Sequence, residues 1–388
     1  MSAYYAGLFL GVGVLMVFLP VHLRALGLTA SATGAVFAAR TLVQTFSPPF
    51  FGYWADRLGS ARLPLQVATA GSALCFLPML FLTNPHAVGA LLVCQALFGG
   101  AVVPLADSMT LTVLGPNPER YGRVRLSGSV SFGIGILTFS VALGGDVNGA
   151  TMATAGAWSV PVICATAVTA ALIALGLPHV QRLKLEHPGG ALSALAQPYL
   201  WILFVVGAVH WGAHAPYTVF FGVHLQDLGL SPLMVAVSLC AGIVVETTVM
   251  FHASRWLPVL PGVTGLRITV ALAVVRWLVT AWSTSPWALV LAQATHGVTF
   301  GLFYVLLIQD VRQRVPEQAR ATGQAVMTAV VFGLGGIGGT LLAGATFDAG
   351  RGPAAFQASA ALEGVALLLS LGLSSRWGRA RAALTAAQ

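Results

Sequence analysis

Runs of about twenty apolar positions follow one another along the whole chain, separated by short polar breaks. A helix needs about 20 apolar residues to cross a membrane. The pattern predicts twelve such helices: roughly 3–23, 31–53, 63–83, 87–114, 124–146, 153–177, 197–222, 231–253, 264–283, 286–309, 319–346 and 353–375. The longest polar break, Pro178–Gly190 (PHVQRLKLEHPGG), divides them into two sets of six. The expected organisation is a six-helix bundle over 1–177, a linker over 178–196, a second bundle over 197–375 and a tail over 376–388. An internal repeat supports the division. FLPVHLRALGLT (Phe18–Thr29) aligns with FFGVHLQDLGLS (Phe220–Ser231). Gln95 and Gly99 recur as Gln293 and Gly297, and Phe132, Gly133 and Gly135 recur as Phe332, Gly333 and Gly335. Two halves related by a parallel repeat predict a central site between them.

Composition leads the same way. Hydrophobic residues make up 57% of the 388 and charged residues 8%, against about 25% charged in an average soluble protein. A soluble globule is excluded. The four cysteines (Cys75, Cys94, Cys164, Cys240) all lie in apolar runs, without disulfide or metal spacing. Residues 1–20 lack a basic leading region, so the first helix is expected to be retained. The net charge of +8 is a topology signal. Arg57, Arg62, Arg120, Arg123, Arg125, Arg182, Lys184, Arg255, Arg267, Arg312, Arg314, Arg320, Arg376, Arg379 and Arg381 fall at one face, and only Arg24 and Arg351 at the other. The excess places the even loops and both termini in the cytoplasm, so no nucleic-acid partner is implied. The run FGLGGIGGTLLAG (Phe332–Gly344) lacks the strand that a dinucleotide loop needs. Gly335 and Gly339, four apart, are read as close helix packing.

Charges within a membrane span cost roughly 2.5–3.5 kcal/mol each on insertion scales. Five stand out: Arg40, Asp107, Glu246, Arg276 and Glu363. Arg40 lies about ten residues into its helix, ~15 Å at helical rise, with Gln44 one turn on. For Arg40 and Arg276 two roles are open: bidentate capture of an anionic solute, or pairing, Arg40 with Asp107 and Arg276 with Glu246. A carboxyl that is costly to ionise is suited to loading and releasing protons. Glu246, in AGIVVETTVM, is the first candidate for this and Asp107 the second. Glu363, on the twelfth and usually peripheral helix, is weighted toward structure. His210 and His214 share a helix face with Trp211 and Tyr217 close by. Without a third convergent ligand they do not make a zinc site, so lining of a polar cavity is expected, against interhelical bonding and packing. His296 is a similar candidate.

Between the second and third runs, Phe50–Arg62 reads FFGYWADRLGSAR. This resembles the signature of the major facilitator superfamily, G-x-x-x-D-R-x-G-R-R. Gly52, Asp56, Arg57 and Gly59 match, Ser60 and Ala61 replace two basic residues, and Arg62 partly compensates. Gly52 and Gly59 are expected at a close approach or a positive φ. YGRVRLSGSVSFGIG (Tyr121–Gly135), VVRWLVTAW, QATHGVTFGLFY, ATGQAVMTAVVFGLGGIGG and PLADSM resemble the phenylpropionate permease-like branch, related to lactose-permease-like and nucleoside–proton symporters. Ser127 stands where that branch carries Trp. Drug–proton antiporters differ: their helix 4 carries Arg at the position of Gln95, and their helix 5 a Gly-Pro element.

The expected fold is therefore an all-α polytopic membrane protein of twelve transmembrane helices in two pseudo-symmetric halves. The resemblance implies a proton-coupled symporter of the cytoplasmic (inner) membrane. It would move a small organic solute, an anionic or aromatic acid, by alternating access. A proton-antiporting exporter of drugs or metabolites is the alternative. Arg40, Gln44, His210, Trp211, His214, Tyr217, Arg276, His296 and Tyr304 are the expected solute contacts, and Glu246 and Asp107 the proton-coupling groups. Asp56, Arg57, Arg123 and Arg125 are the expected cytoplasmic gate. The expected partners are the solute, protons and the lipid bilayer, with the chain a monomer. No enzyme activity, cofactor or metal is expected: G-x-S-x-G and H-E-x-x-H motifs are absent and the loops are short.

Overall fold

The computed structural model describes residues 1–115, 120–143, 149–179, 197–252, 255, 260, 262–315 and 320–373. Most of the linker and the tail, with Arg182, Lys184, Arg376, Arg379 and Arg381, lie outside the described residues. Regular structure within them is entirely helical: α1 (Ser2–Ala25), α2 (Ala30–Leu58), α3 (Arg62–Leu80), α4 (Pro85–Leu114), α5 (Tyr121–Ala142) and α6 (Gly149–Leu175), then α7 (Pro198–Asp227), α8 (Pro232–Phe251), α9 (Gly262–Trp282), α10 (Pro286–Arg314), α11 (320–349) and α12 (352–370). The last two form one run, broken at Gly350 and at Arg351, which has φ 60° and ψ −158°. Ten stretches are long and apolar enough to cross a membrane, one of them, Gly323–Leu373, holding both α11 and α12. The remaining helix, α2, has 29 residues, ~44 Å at helical rise, and its lower hydropathy reflects Arg40, Gln44, Asp56 and Arg57.

Local chemistry sets the helix ends. The Thr29 hydroxyl accepts from the Ala32 amide at 3.1 Å, starting α2. Asn84 does the same for α4, accepting from His86 and Ala87, with Pro85 at the first helical position. Gly59 ends α2 at φ 65°, the left-handed cap expected of it. Gly52 departs from expectation: it lies inside α2, and a Cβ there would meet nothing within 4 Å. Helix α7 is interrupted at His214, just before Pro216. Two short π-helical stretches interrupt α10 (Gly297–Leu302) and α11 (Ala329–Leu334).

The chain forms two compact units. The first comprises Met1–Glu186, Tyr217–Val237 and Thr340–Gly352. Tyr4, Tyr5, Phe51, Leu65, Leu105 and Met109 are among the residues of its core. Its later segments are joined by polar contacts. Arg24 Nη1 lies 2.6 Å from Asp227 Oδ1. Asp348 accepts from the amides of Ala30 (2.9 Å) and Ser31 (2.8 Å), where α2 presents unsatisfied donors and its positive end. The second unit comprises His187–Pro216, Ser238–Gly339 and Pro353–Gln388. Leu203, Phe204, Leu266, Val270, Leu306 and Leu307 lie in its core. Here Gly335 and Gly339 lie against the backbone of Ala208 and Gly212. This is the close packing of α11 on α7 that their spacing predicted.

Candidate functional site

The second unit gathers the polar residues at a half-buried carboxylate, Glu246 on α8. The backbone of α8 reaches α10 closely there, because Gly297 and Gly301 carry no side chain against Val245 and Glu246. Glu246 Oε2 lies 3.7 Å from His296 Nε2. His296 Nδ1 in turn receives an N–H from Arg276 Nη1 at 3.1 Å. Since guanidinium can only donate, Nδ1 is an acceptor and the ring hydrogen sits on Nε2, aimed at Glu246.

Arg276 is 1% exposed and heavily bonded. Its Nε and Nη2 donate to Gln293 Oε1 at 3.2 and 2.6 Å, and Nη1 also donates to Thr299 Oγ1 at 3.0 Å. Its guanidinium carbon lies 4.1 Å from the Trp277 ring centroid. Beside this cluster, Trp211, Phe300, Tyr304 and Phe332 are half-buried and in ring contact: Phe300 stacks on Tyr304, and Trp211 and Phe332 meet edge-on. They form an apolar wall with a carboxylate at its edge.

His210 and His214 sit deeper than expected. Both are 1% exposed, so His210 lies in the packed interior and not on a cavity wall. Its Nδ1 is 2.7 Å from Glu363 Oε2 and its Nε2 2.8 Å from the Thr299 carbonyl. Glu363 is fully buried on the inward face of α12, whose Val365, Leu368 and Leu369 are exposed. It also supplies the third convergent donor that the sequence did not reveal: one atom each of His210, His214 and Glu363 lie within 4.8 Å of one another. Histidine and carboxylate donors suit a transition metal. However, His214 Nδ1 is 2.9 Å from the His210 carbonyl and therefore carries hydrogen, and both His210 nitrogens have protein partners. The trio is a hydrogen-bonded cluster in this arrangement.

The first unit holds the remaining candidates. Arg40 is 7% exposed, and its Nη2 donates to Gln95 Oε1 at 3.1 Å. Gln95 Nε2 donates to Ser72 Oγ at 2.7 Å. Arg40 Nη1 is buried with no hydrogen-bond partner among the described residues. The pairing of Arg40 with Asp107 does not form. Asp107 Oδ1 instead accepts from Tyr5 Oη at 2.5 Å and lies 3.9 Å from Arg125 Nε. Gln44 is half-buried, backed by Gly100. Tyr217 is half-buried against the ring of Phe221. Of the expected gate, Asp56, Arg57 and Arg123 are exposed, Arg57 lies over the Tyr53 ring, and Arg125 lies over Phe9.

Sequence reasoning missed several partners. Gln95 and Gln293 were visible as a repeat but not as arginine ligands. Thr299 and Phe300 carried no signal beyond lying beside His296. Tyr199, Asp310 and Arg314 form a second Tyr–Asp–Arg cluster, with Tyr199 Oη donating to Asp310 Oδ2 at 2.6 Å and Arg314 Nε to Oδ1 at 2.9 Å.

Twelve helices among the described residues, with ten stretches long and apolar enough to cross a membrane, are the fold of a polytopic membrane protein. The chain belongs to the MFS_1 like family, which it matches over residues 1–358. It is 26% identical over 349 residues to a probable 3-phenylpropionic acid transporter of Escherichia coli, covering 85% of this chain and 86% of that protein. It is likewise 26% identical over 357 residues to the maltose permease of Geobacillus stearothermophilus, covering 88% and 85%. Its fold is similar to that of a mutant of the nucleoside transporter NupG, with a TM-score of 0.85 at 16% identity, over 96% of this chain and 98% of that one.

Proposed function

We propose that the protein is a proton-coupled secondary active transporter that carries a small anionic or aromatic organic acid across the cytoplasmic membrane by alternating access. The observation that carries this reading is the Glu246–His296–Arg276 chain at the edge of an aromatic wall. An ionised carboxylate at membrane depth is costly, and a proton removes that cost. Glu246 is half-buried, so it is positioned to exchange a proton, whereas His296 would face Arg276 with a second N–H if it took one. Glu246 is therefore the proton carrier. Asp107, matched to Tyr5 and Arg125, braces its helix. The aromatic wall of Trp211, Phe300, Phe332 and Tyr304 receives the apolar body of the solute. Arg40, buried with an Nη1 unpartnered among the described residues, is the first unit's candidate for binding an anion. The probable phenylpropionic acid transporter among the relatives supports this substrate class.

Reconstitution in proteoliposomes tests the proposal. Addition of aromatic acids should alkalinise the external medium of wild-type vesicles. Glu246→Gln should lose proton-driven accumulation and retain solute exchange. Full accumulation in that variant would remove Glu246 from the mechanism. External acidification from acid-loaded vesicles on addition of a drug would instead establish the antiporting exporter.

A further inference from the structure

Glu363 lies outside the proposed transport machinery, yet it is a fully buried acid with every visible contact specified. From α12 it faces His210 (2.7 Å) and His214 (3.9 Å) on α7, and its Oε1 accepts from Trp277 Nε1 on α9 at 3.2 Å. Next to Trp277 is Arg276, and behind His210 is Thr299. We infer that Glu363 and His210 form a locked one-proton pair that positions Arg276 and His296, and through them the proton site at Glu246.

The hydrogens follow from the partners. The Thr299 carbonyl can only accept, so His210 Nε2 carries hydrogen. One further hydrogen lies between His210 Nδ1 and Glu363 Oε2. Removing it would set a ring lone pair against a carboxylate. Adding a second would set two donors face to face. Neither charge change is solvated, since the residues are 1% and 0% exposed. The pair therefore keeps one proton throughout the cycle and transports none.

Its action is geometric. Thr299 lies in the π-helical stretch Gly297–Leu302, a departure from regular helix that frequently marks functional sites. The Thr299 carbonyl is held by His210 Nε2, and the Thr299 hydroxyl receives Arg276 Nη1, the same nitrogen that fixes the His296 tautomer. Four helices, α7, α9, α10 and α12, thus converge on one hydrogen-bonded chain. Glu363 is a positioning residue: it reaches the proton site only through others.

This inference rests on Glu246 carrying the proton, and its test separates the two claims. Protons moved per solute are measured in proteoliposomes alongside solute exchange. Glu363→Ala should lower the number of protons moved per solute, while exchange continues. Glu363→Gln should restore the ratio, because its amide can donate to His210 Nδ1 and accept from Trp277 without a titrating proton. A role confined to stability would reduce folded protein and leave the ratio alone. Should Glu363→Ala fold poorly, the paired change His210→Phe with Glu363→Leu fills the same volume with apolar groups, a replacement that buried pairs often tolerate; it should lower the ratio equally. Wild-type coupling in Glu363→Ala or in the paired variant overturns the inference. So does loss of coupling in Glu363→Gln, which would make Glu363 a carrier. If Glu246→Gln couples fully, the proposed function fails first and this inference with it.

Discussion

Arg40 and Arg276 invite comparison. Each is a buried arginine bonded to a glutamine, and the two glutamines, Gln95 and Gln293, recur in the internal repeat. Each glutamine passes the contact to a hydroxyl, Ser72 in one unit and Thr280 in the other. The arginines differ in how far they are satisfied. Arg276 gives N–H groups to Gln293, His296 and Thr299, and rests on Trp277. Arg40 gives one to Gln95 and keeps a buried Nη1 without a partner among the described residues. A buried cation with an open donor is a high-energy arrangement unless something completes it. The repeat conserved the glutamine anchor in both units, and the surroundings then diverged. One arginine is left open for an anion, and the other is consumed in holding a histidine toward a carboxylate.

The largest effect expected from this difference separates affinity from coupling. Arg40→Lys should raise the half-saturation concentration for an aromatic acid more than about tenfold, because an ammonium cannot bind a carboxylate bidentately. Its proton-to-solute ratio should stay at the wild-type value. Arg276→Lys should do the reverse, releasing His296 and lowering the ratio with a smaller effect on half-saturation. Solute counterflow and proton flux, measured on the same vesicles, read both quantities. If both variants fail in affinity alone, the arginines share one role, as the sequence first allowed.

A second pair of clusters is more alike. Tyr5–Asp107–Arg125 in the first unit and Tyr199–Asp310–Arg314 in the second both set a carboxylate between a phenol and a guanidinium. They differ in closeness: the arginine nitrogen is 3.9 Å from Asp107 but 2.9 Å from Asp310. Asp107 is also more open, its side chain 31% exposed against 9% for Asp310. Breaking a buried pair typically costs about 3–5 kcal/mol, and an exposed one nearer 1 kcal/mol or less. Asp310→Asn should therefore lower thermal stability in detergent clearly, and Asp107→Asn only slightly, with coupling retained in the latter. Loss of coupling at unchanged stability in Asp107→Asn would return Asp107 to the proton path.

How much was legible beforehand follows from what each signal depends on. The twelve helices and the packing glycines Gly335 and Gly339 were readable, because apolar run length and i,i+4 spacing are properties of sequence alone. The charges within the membrane were readable too, since so few exist. Their partners were not. Arg40 meets Gln95 and not Asp107 because of how α2 and α4 are rotated, which spacing does not encode. His210 and Glu363 are 153 positions apart and meet through the packing of α7 and α12. The π-helical stretch that contains Thr299, whose carbonyl meets His210, had no motif.

The smallest predicted effect concerns two glycines that the signature treats alike. Gly59 ends α2 at φ 65°, and a Cβ there would meet no atom within 4 Å. Alanine would thus fit the space but not the backbone, at a cost of about 1 kcal/mol for the left-handed conformation. Gly52 is helical and equally uncrowded, so alanine there should stabilise by about 0.5–1 kcal/mol. Gly59→Ala should lower the melting temperature by about 1–2 °C and Gly52→Ala should raise it slightly. If Gly52→Ala instead impairs transport at unchanged stability, the space around Gly52 must close at another stage of the transport cycle. The signature glycine would then serve a close approach made only in that stage.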